Sequence, residues 1–195
     1  MIDLTRATKS LSDVLARVGD NQLSAPTPCT ETTVGALIDH VDGLSLAFTA
    51  AAKKTPLPGG SQPPSSDASR LGDDWRIRVP NRLAELAAAW QDDQAWAGMT
   101  QAGGVELPGE AAGLVALDEV LVHGWDIAAA TGQPYDADPD LVEAALGFVR
   151  PTVEQNPNGT PGLFGPRVAV GEDATPLDRL LGLTGRDPRW RAPVS

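Results

Sequence analysis

Two histidines and a glutamate are the residues of this sequence whose types and spacing could hold a metal ion. His40 and His123 are the only histidines, and each lies among aliphatic residues in a stretch with helical periodicity. Glu119 precedes His123 by four residues, so their side chains stand about 40° apart around a helix and one turn apart along it. Two imidazoles and one carboxylate suit Zn²⁺, Ni²⁺ or Fe²⁺. Three protein ligands would leave a coordination position open for catalysis.

The predicted helix around the glutamate has a physical reason to bind a cation. Val115 and Val122 share a face with Glu119, and the segment ALDEVLVHGWDIAAATG contains no Lys or Arg. A carboxylate on a core-facing stripe is costly unless it is paired, hydrogen-bonded or bound to a cation. Spacing alone leaves an alternative open, in which Glu119 and His123 form a hydrogen-bonded surface pair and His40 is an unrelated histidine at the core edge.

Helices must position these residues, because apolar side chains recur at three- and four-residue steps through most of the chain. The second predicted helix is capped by Thr30 or Thr32 and places His40 beside its apolar stripe, where the ring can face the interior. Gly132 ends the fourth, which carries the glutamate and the second histidine. The predicted helices cover about 4–18, 32–53, 74–97, 111–131, 138–149 and the segment TPLDRLLGLTGRDPRW, with Pro80 interrupting the start of the third.

One all-α, or mostly α, domain over residues 1–195 is expected. A chain of 195 residues can bury one sizeable core, and a 5% share of aromatic residues favours packed helices over a β-sandwich. Residues 55–72, TPLPGGSQPPSSDASRLG, are rich in Pro, Gly and Ser and predict a mobile loop. The stretch QAGGVELPGE predicts a Gly-rich connection.

Composition argues against several classes of partner. The formal net charge of −11, without a Lys/Arg cluster, would repel phosphate backbones and anionic lipids, so neither nucleic acid nor a membrane surface is expected as a partner. The N-terminus MIDLTRATKS lacks the features of a secretory signal, and no stretch is expected to approach membrane-spanning length, so we expect a cytoplasmic protein. Cys29 is the only cysteine, which excludes an intramolecular disulfide and a cysteine-based zinc cluster.

Three stretches of the chain resemble one family in residue identity as well as in spacing: TPCTETTVGALIDHVDGL, ALDEVLVHGWDIAAATG and TPLDRLLGLTGRDPRW. They span about residues 24–190 and resemble the mycothiol-dependent maleylpyruvate isomerase-like family of the DinB/YfiT-like superfamily. The resemblance implies a four-helix bundle with short additional C-terminal helices. It also implies a metal site made of a histidine on the second helix and an E-x₃-H pair on a later one, here His40, Glu119 and His123.

The same resemblance implies an activity. Many members act on low-molecular-weight thiols such as mycothiol and present the sulfur to the open position of the metal, of which Zn²⁺ is the first expectation. The thiolate would then attack a small electrophilic substrate, giving S-transfer or isomerisation. The isomerase that names the family has an additional C-terminal domain, for which this chain has no room, so we expect a stand-alone S-transferase-like protein.

Two other functions and one assembly remain open. The bundle could bind a metal or small molecule without catalysis, or it could use metal-bound water for hydrolysis. Bundles of this kind can also form homodimers through an exposed helix face.

A few further residues have two interpretations each. Asp126, three residues beyond His123, could act catalytically as a base near the metal or accept a hydrogen bond. Cys29 could be a reactive thiol or a small apolar group, and Trp125 is predicted to pack. Arg179 and Arg186 could bind an anionic substrate or a cofactor carboxylate, but they are predicted to form exposed ion pairs outside the site.

Overall fold

A computed structural model of the chain describes residues 1–55, 66–156, 158–160 and 162–193, and these residues are mostly helical. The mostly α class predicted from the sequence is confirmed. The α-helices are α1 (Thr5–Leu15), α2 (Val34–Ala52), α3 (Trp75–Ala89), α4 (Asp93–Trp96), α5 (Gly109–Ala130), α6 (Pro139–Gln155) and α7 (Pro176–Leu183). The strands β1 (Met99–Ala102) and β2 (Val105–Pro108) form an antiparallel hairpin.

Four of the helices form the bundle. Helix α2 packs against α3 and α5, and α1 packs against the same two helices, so the order around the bundle is α1, α3, α2, α5. Their buried leucines and isoleucines fill the centre, among them Leu11, Leu37, Ile38, Leu83, Leu117 and Leu121. Helix α6 packs against α5, and α7 packs against α6. Helices α2 and α5 are therefore neighbours, as a shared metal site requires.

Helix α2 departs from the sequence-based expectations in two ways. Its cap is Thr33, whose hydroxyl oxygen accepts a hydrogen bond from the backbone N–H of Ala36 at 3.3 Å, so the prediction of Thr30 or Thr32 was wrong. Among the described residues, α2 is also long and apolar enough to cross a membrane, contrary to the expectation that no stretch approaches that length. However, 72% of its apolar window is buried inside the bundle, as in the core helix of a globular domain.

The region after α3 contains a hairpin that the sequence analysis missed. Helix α3 ends at Ala89, short of the predicted residue 97, and the predicted Gly-rich connection forms β1 and β2. The turn between the strands is Gly103 and Gly104, with φ of 57° and 81°, a conformation that favours glycine. Thr100 on β1 donates a hydrogen bond to the carbonyl of Ala51 at 2.6 Å, which attaches the hairpin to the end of α2.

The predicted interruption at Pro80 is not seen, and a second proline lies inside another helix. Pro80 lies inside α3, and Pro151 lies inside α6, which continues to Gln155 instead of ending near residue 149. Each proline removes one helical hydrogen bond. The neighbouring side chains Val79 and Val153 are buried in the core, so tertiary packing maintains both helices.

The predicted mobile loop over residues 55–72 lies largely outside the described residues, which omit 56–65. At its described C-terminal end, Asp67 caps a short 3₁₀ turn over Ala68–Arg70 by accepting a hydrogen bond from the N–H of Ser69. Leu71 follows and is buried in the core. This end of the segment is thus packed against the bundle.

Candidate metal centre

Helices α2 and α5 bring the three predicted ligands together. His40, Glu119 and His123 each offer a ligand atom, and these atoms lie within 4.8 Å of one another. The Nε2 atom of His123 lies 2.9 Å from Oε2 of Glu119. The ring centroids of His40 and His123 are 5.1 Å apart, with the rings nearly perpendicular. The residues that sequence spacing singled out on two separate helices therefore meet at one point.

The chemistry and spacing of this donor set fit a small divalent ion. Zinc bonds to nitrogen and oxygen are about 2.0–2.2 Å long, which places neighbouring ligand atoms of a tetrahedron roughly 3.3 Å apart. Nε2 of His123 and Oε2 of Glu119 are 2.9 Å apart, and the ligand atoms of all three residues lie within 4.8 Å of one another, which is compatible with that value. Small side-chain adjustments would suffice to hold the ion.

Asp126, paired with Arg186, contacts the ring nitrogen of His123 that does not face Glu119. The Nδ1–H group of His123 donates to Oδ2 of Asp126 at 3.0 Å. Arg186 in turn donates from Nη2 to the same oxygen at 3.1 Å, and from Nη1 to the carbonyl of Thr184 at 2.8 Å. This arrangement fixes the tautomer of His123 and leaves Nε2 available to a metal.

The buried charges perturb both members of the histidine–glutamate pair. Burial alone would lower the pKa of His123, but its hydrogen bonds to Asp126 and Glu119 raise that pKa to about 10. Burial alone would raise the pKa of Glu119, but the hydrogen bond and charge of His123 lower it below its usual value. Without a metal, the site is therefore an ionised carboxylate beside an imidazolium.

A cavity of about 370 Å³ opens at these residues. Its lining joins the candidate ligands to the loop before α2 and to the segment that follows α6, and includes Cys29, Thr30, Val122, Leu163, Phe164 and Arg186. The volume lies within the range of small-molecule sites. The three candidate ligands thus line a space that a small substrate could enter.

Asp118 is a cavity residue that the sequence analysis did not single out. Its side chain is 3% exposed, and its Oδ1 atom is buried with no hydrogen-bond partner. Burial, together with the charge of the adjacent Glu119, raises the pKa of Asp118 to about 8. The signal in the sequence was a second carboxylate beside Glu119 in a helix without a cation.

Arg186 is the clearest correction to the sequence-based assignments. It was predicted to be an exposed residue outside the site, but its side chain is 11% exposed, pairs with buried Asp126 and lines the cavity. The prediction failed because the partner lies 60 residues away in the sequence. Arg179, by contrast, is exposed and outside this cavity.

The remaining candidates occupy clear positions. Asp126 is fully buried, contacts His123 and Arg186, and does not line the cavity, so its position favours hydrogen-bond acceptance over direct proton exchange with a substrate. Cys29 is half-buried, packs against the core and lines the cavity. Trp125 is partly buried and packs against the core.

The first 128 residues identify the family. The chain matches the sequence model of the mycothiol maleylpyruvate isomerase N-terminal domain over residues 4–128, which include His40, Glu119 and His123. This chain belongs to that family. The family predicted from the three sequence stretches is thereby confirmed. Residues 129–193, which include the cavity residue Arg186, lie beyond the matched region.

Two relatives of this family member come from Mycobacterium tuberculosis. The uncharacterized protein MT0763 of strain CDC 1551 / Oshkosh is 32% identical over 195 residues, covering 94% of this chain and 96% of its own length. The uncharacterized protein Rv0738 of strain ATCC 25618 / H37Rv gives the same values. The similarity therefore extends over α6 and α7, beyond the matched family domain.

Solved structures show the same fold. The crystal structure of the mycothiol-dependent maleylpyruvate isomerase matches with a TM-score of 0.58 and 19% identity, over 76% of this chain and 65% of the isomerase chain. A mutant of that enzyme with one histidine replaced by alanine matches with a TM-score of 0.58 and 20% identity. This family member thus spans about two thirds of the solved isomerase.

Proposed function

We propose that this protein is a metal-dependent enzyme that uses a low-molecular-weight thiol of the mycothiol type, for S-transfer to a small electrophile or for its isomerisation. One observation carries the proposal: His40, Glu119 and His123 converge at the wall of a cavity of about 370 Å³. A metal that only stabilised the fold would be expected to have its coordination closed by protein ligands. Here the described residues supply three ligands beside open space.

The thiol is inferred from the family, whose solved relative is mycothiol-dependent. A divalent ion, with zinc as the first expectation, would lower the pKa of a thiol placed beside it, so that a thiolate forms at neutral pH. The thiolate sulfur then forms a bond to an electrophilic carbon. In transfer, the leaving group departs with its electron pair or the adduct takes up a proton. In isomerisation, the sulfur is expelled again after bond rotation.

The chain's own residues would prepare this chemistry. Asp126 holds His123 with Nε2 directed toward the site, and Arg186 balances the charge of Asp126. Phe164 and Leu163 form apolar parts of the cavity wall and would restrict the access of water to the reacting sulfur. A role for Asp126 as a catalytic base stays a prediction, because its carboxylate contacts Nδ1 of His123 and does not line the cavity.

We further propose that the protein acts in the cytoplasm on small molecules. It is proposed to have no nucleic acid or membrane partners, since its net charge is −11. A single domain over residues 1–195 with the DinB-like arrangement remains part of this proposal, as does assembly into a homodimer. The non-catalytic alternative, a binder of metal or of a small molecule, would keep the same site without turnover.

Thiol dependence tests the proposed function. The zinc-loaded protein is incubated with mycothiol and a chromogenic aryl chloride, and chloride release and thioether formation are followed. We expect turnover that requires both thiol and metal and that falls at least a hundredfold in Glu119→Gln, because an amide oxygen is a poor metal ligand. Glu110→Gln is the matched control, since Glu110 is an exposed carboxylate on the same helix. Substrate loss without thiol would indicate hydrolysis, and metal binding without turnover on a panel of electrophiles would favour the binder.

A further inference from the structure

Asp118 is a buried carboxylate for which the proposed chemistry has no use. It lies on α5 next to the candidate ligand Glu119 and lines the same cavity as His40 and His123. Its side chain is 3% exposed, and no donor among the described residues lies within hydrogen-bonding distance of Oδ1. A buried acceptor without a partner is a costly feature that folding alone does not favour.

The charged side chains around Asp118 do not satisfy this acceptor. Arg186 lies close enough to influence the charge of Asp118, but its hydrogen bonds go to Asp126 and to the carbonyl of Thr184. The other charged neighbours are Glu119 and Asp126, which repel a second carboxylate, and His123, whose two ring nitrogens already pair with those two residues. Asp118 therefore lines the cavity with a carboxyl group that has no hydrogen-bond partner at Oδ1 among the described residues.

We infer that Asp118 is a recognition residue for the thiol, accepting a hydrogen bond from an N–H or O–H group of the molecule that binds in the cavity. This inference rests on the proposed function. Thiols built on cysteine carry an amide or ammonium nitrogen on the carbon adjacent to the CH₂–SH group, and mycothiol adds sugar hydroxyls. A sulfur placed beside His40 and Glu119 brings such donors into the cavity that Asp118 lines. Asp118 thus distinguishes a donor-bearing thiol from a simple alkyl thiol.

Binding measurements on the zinc-loaded full-length protein test this role. Mycothiol and 1-propanethiol are titrated by calorimetry into wild type, Asp118→Ala, Asp118→Asn and the control Glu110→Ala. We expect Asp118→Ala to bind mycothiol at least about tenfold more weakly while its affinity for 1-propanethiol is unchanged, since only mycothiol offers a further donor. Asp118→Asn retains a carbonyl oxygen at the same place and should bind mycothiol more tightly than Asp118→Ala. Glu110→Ala should match wild type.

Zinc content and melting temperature separate recognition from a structural role. Asp118→Ala should keep its zinc and melt no lower than wild type, because the substitution removes an unsatisfied buried carboxylate. Equal affinity of wild type and Asp118→Ala for mycothiol would overturn the inference while leaving the proposed function intact. A parallel loss of zinc and of 1-propanethiol binding would overturn it in favour of a structural role. Failure of the zinc-loaded wild type to bind either thiol would overturn the proposed function and the inference together.

Discussion

At the scale of single residues, His123 connects the candidate metal centre to the C-terminal segment. Nε2 of the ring lies 2.9 Å from the carboxylate of Glu119, and Nδ1 donates to Asp126 at 3.0 Å. Asp126 is itself paired with Arg186. The spacing of Glu119 and His123 could be read from the sequence because both lie on one helix. Arg186 could not, since only the folded chain brings residue 186 to residue 126.

Asp126→Asn should weaken metal binding about 10–100-fold, because the amide no longer fixes the tautomer and basicity of His123. It should also lower the free energy of unfolding by roughly 3 kcal/mol, since Arg186 loses its buried partner. Competition with a chelator measures the first effect and urea denaturation the second. Asp73→Asn, at an exposed aspartate, is the matched control. Unchanged metal affinity in Asp126→Asn would show that Asp126 does not position His123.

Metal uptake should release protons at neutral pH. In the metal-free protein the pKa of His123 is raised from 6.5 to about 10, whereas a ligand imidazole must be neutral. The protonated ring stabilises the metal-free fold fully below pH 6.5, and this contribution is lost as the pH rises through about 10. Apparent zinc affinity should therefore rise by up to about tenfold per pH unit between pH 7 and 9. Calorimetry in buffers of different ionisation enthalpy measures the released proton, and buffer-independent enthalpies would contradict the expectation.

At the scale of secondary structure, most helices follow from apolar periodicity, while short elements do not. The repeat of three and four residues locates α1, α2 and α5 to within a few residues, whereas α6 continues to Gln155, beyond its predicted end near residue 149. The hairpin β1–β2 was missed because its strands are only four residues long and largely exposed, too short for a periodic pattern to stand out. Its one signal was the Gly103–Gly104 pair, a sequence typical of a two-residue turn.

A pair of glycine substitutions tests the packing of α5. A Cβ added at Gly113 would lie 2.6 Å from the ring of Trp96 and 2.9 Å from that of Trp90, so Gly113→Ala should cost about 1–3 kcal/mol of unfolding free energy. Gly147 lies on an exposed face of α6 with nothing within 4 Å of its added Cβ. Gly147→Ala should therefore stabilise the protein by about 0.5–1 kcal/mol. Urea denaturation measures the free energy of unfolding of both variants. Equal changes in Gly113→Ala and Gly147→Ala would contradict the close packing of α5 against Trp90 and Trp96.

At the scale of the whole molecule, the bundle joins distant parts of the sequence at one cavity. Helix α2 supplies one candidate ligand, α5 supplies two, and residues 162–166 and 184–186 form another part of the wall. The order α1, α3, α2, α5 around the bundle makes this possible. The sequence predicted the helical class and the three side chains that converge, but the contribution of the C-terminal segment depends on tertiary packing that periodicity does not encode.

The net charge of −11 gives a prediction about partners. The protein should not sediment with vesicles containing about 25% phosphatidylglycerol, at either low or physiological salt, because like charges repel. Helix α2 should not change this result, since most of its apolar window is buried in the bundle. Salt-insensitive binding to both anionic and neutral vesicles would contradict this expectation and indicate exposure of α2.

The central claim is that His40, Glu119 and His123 bind one divalent metal. Elemental analysis of the untagged protein, purified without added metal, tests it directly beside the His40→Ala/His123→Ala double variant and the Glu110→Gln control. We predict about one equivalent of divalent metal per chain in wild type and control, and none in the double variant. Absence of metal from the wild type, persisting after reconstitution with Zn²⁺ and with Ni²⁺, would contradict the claim.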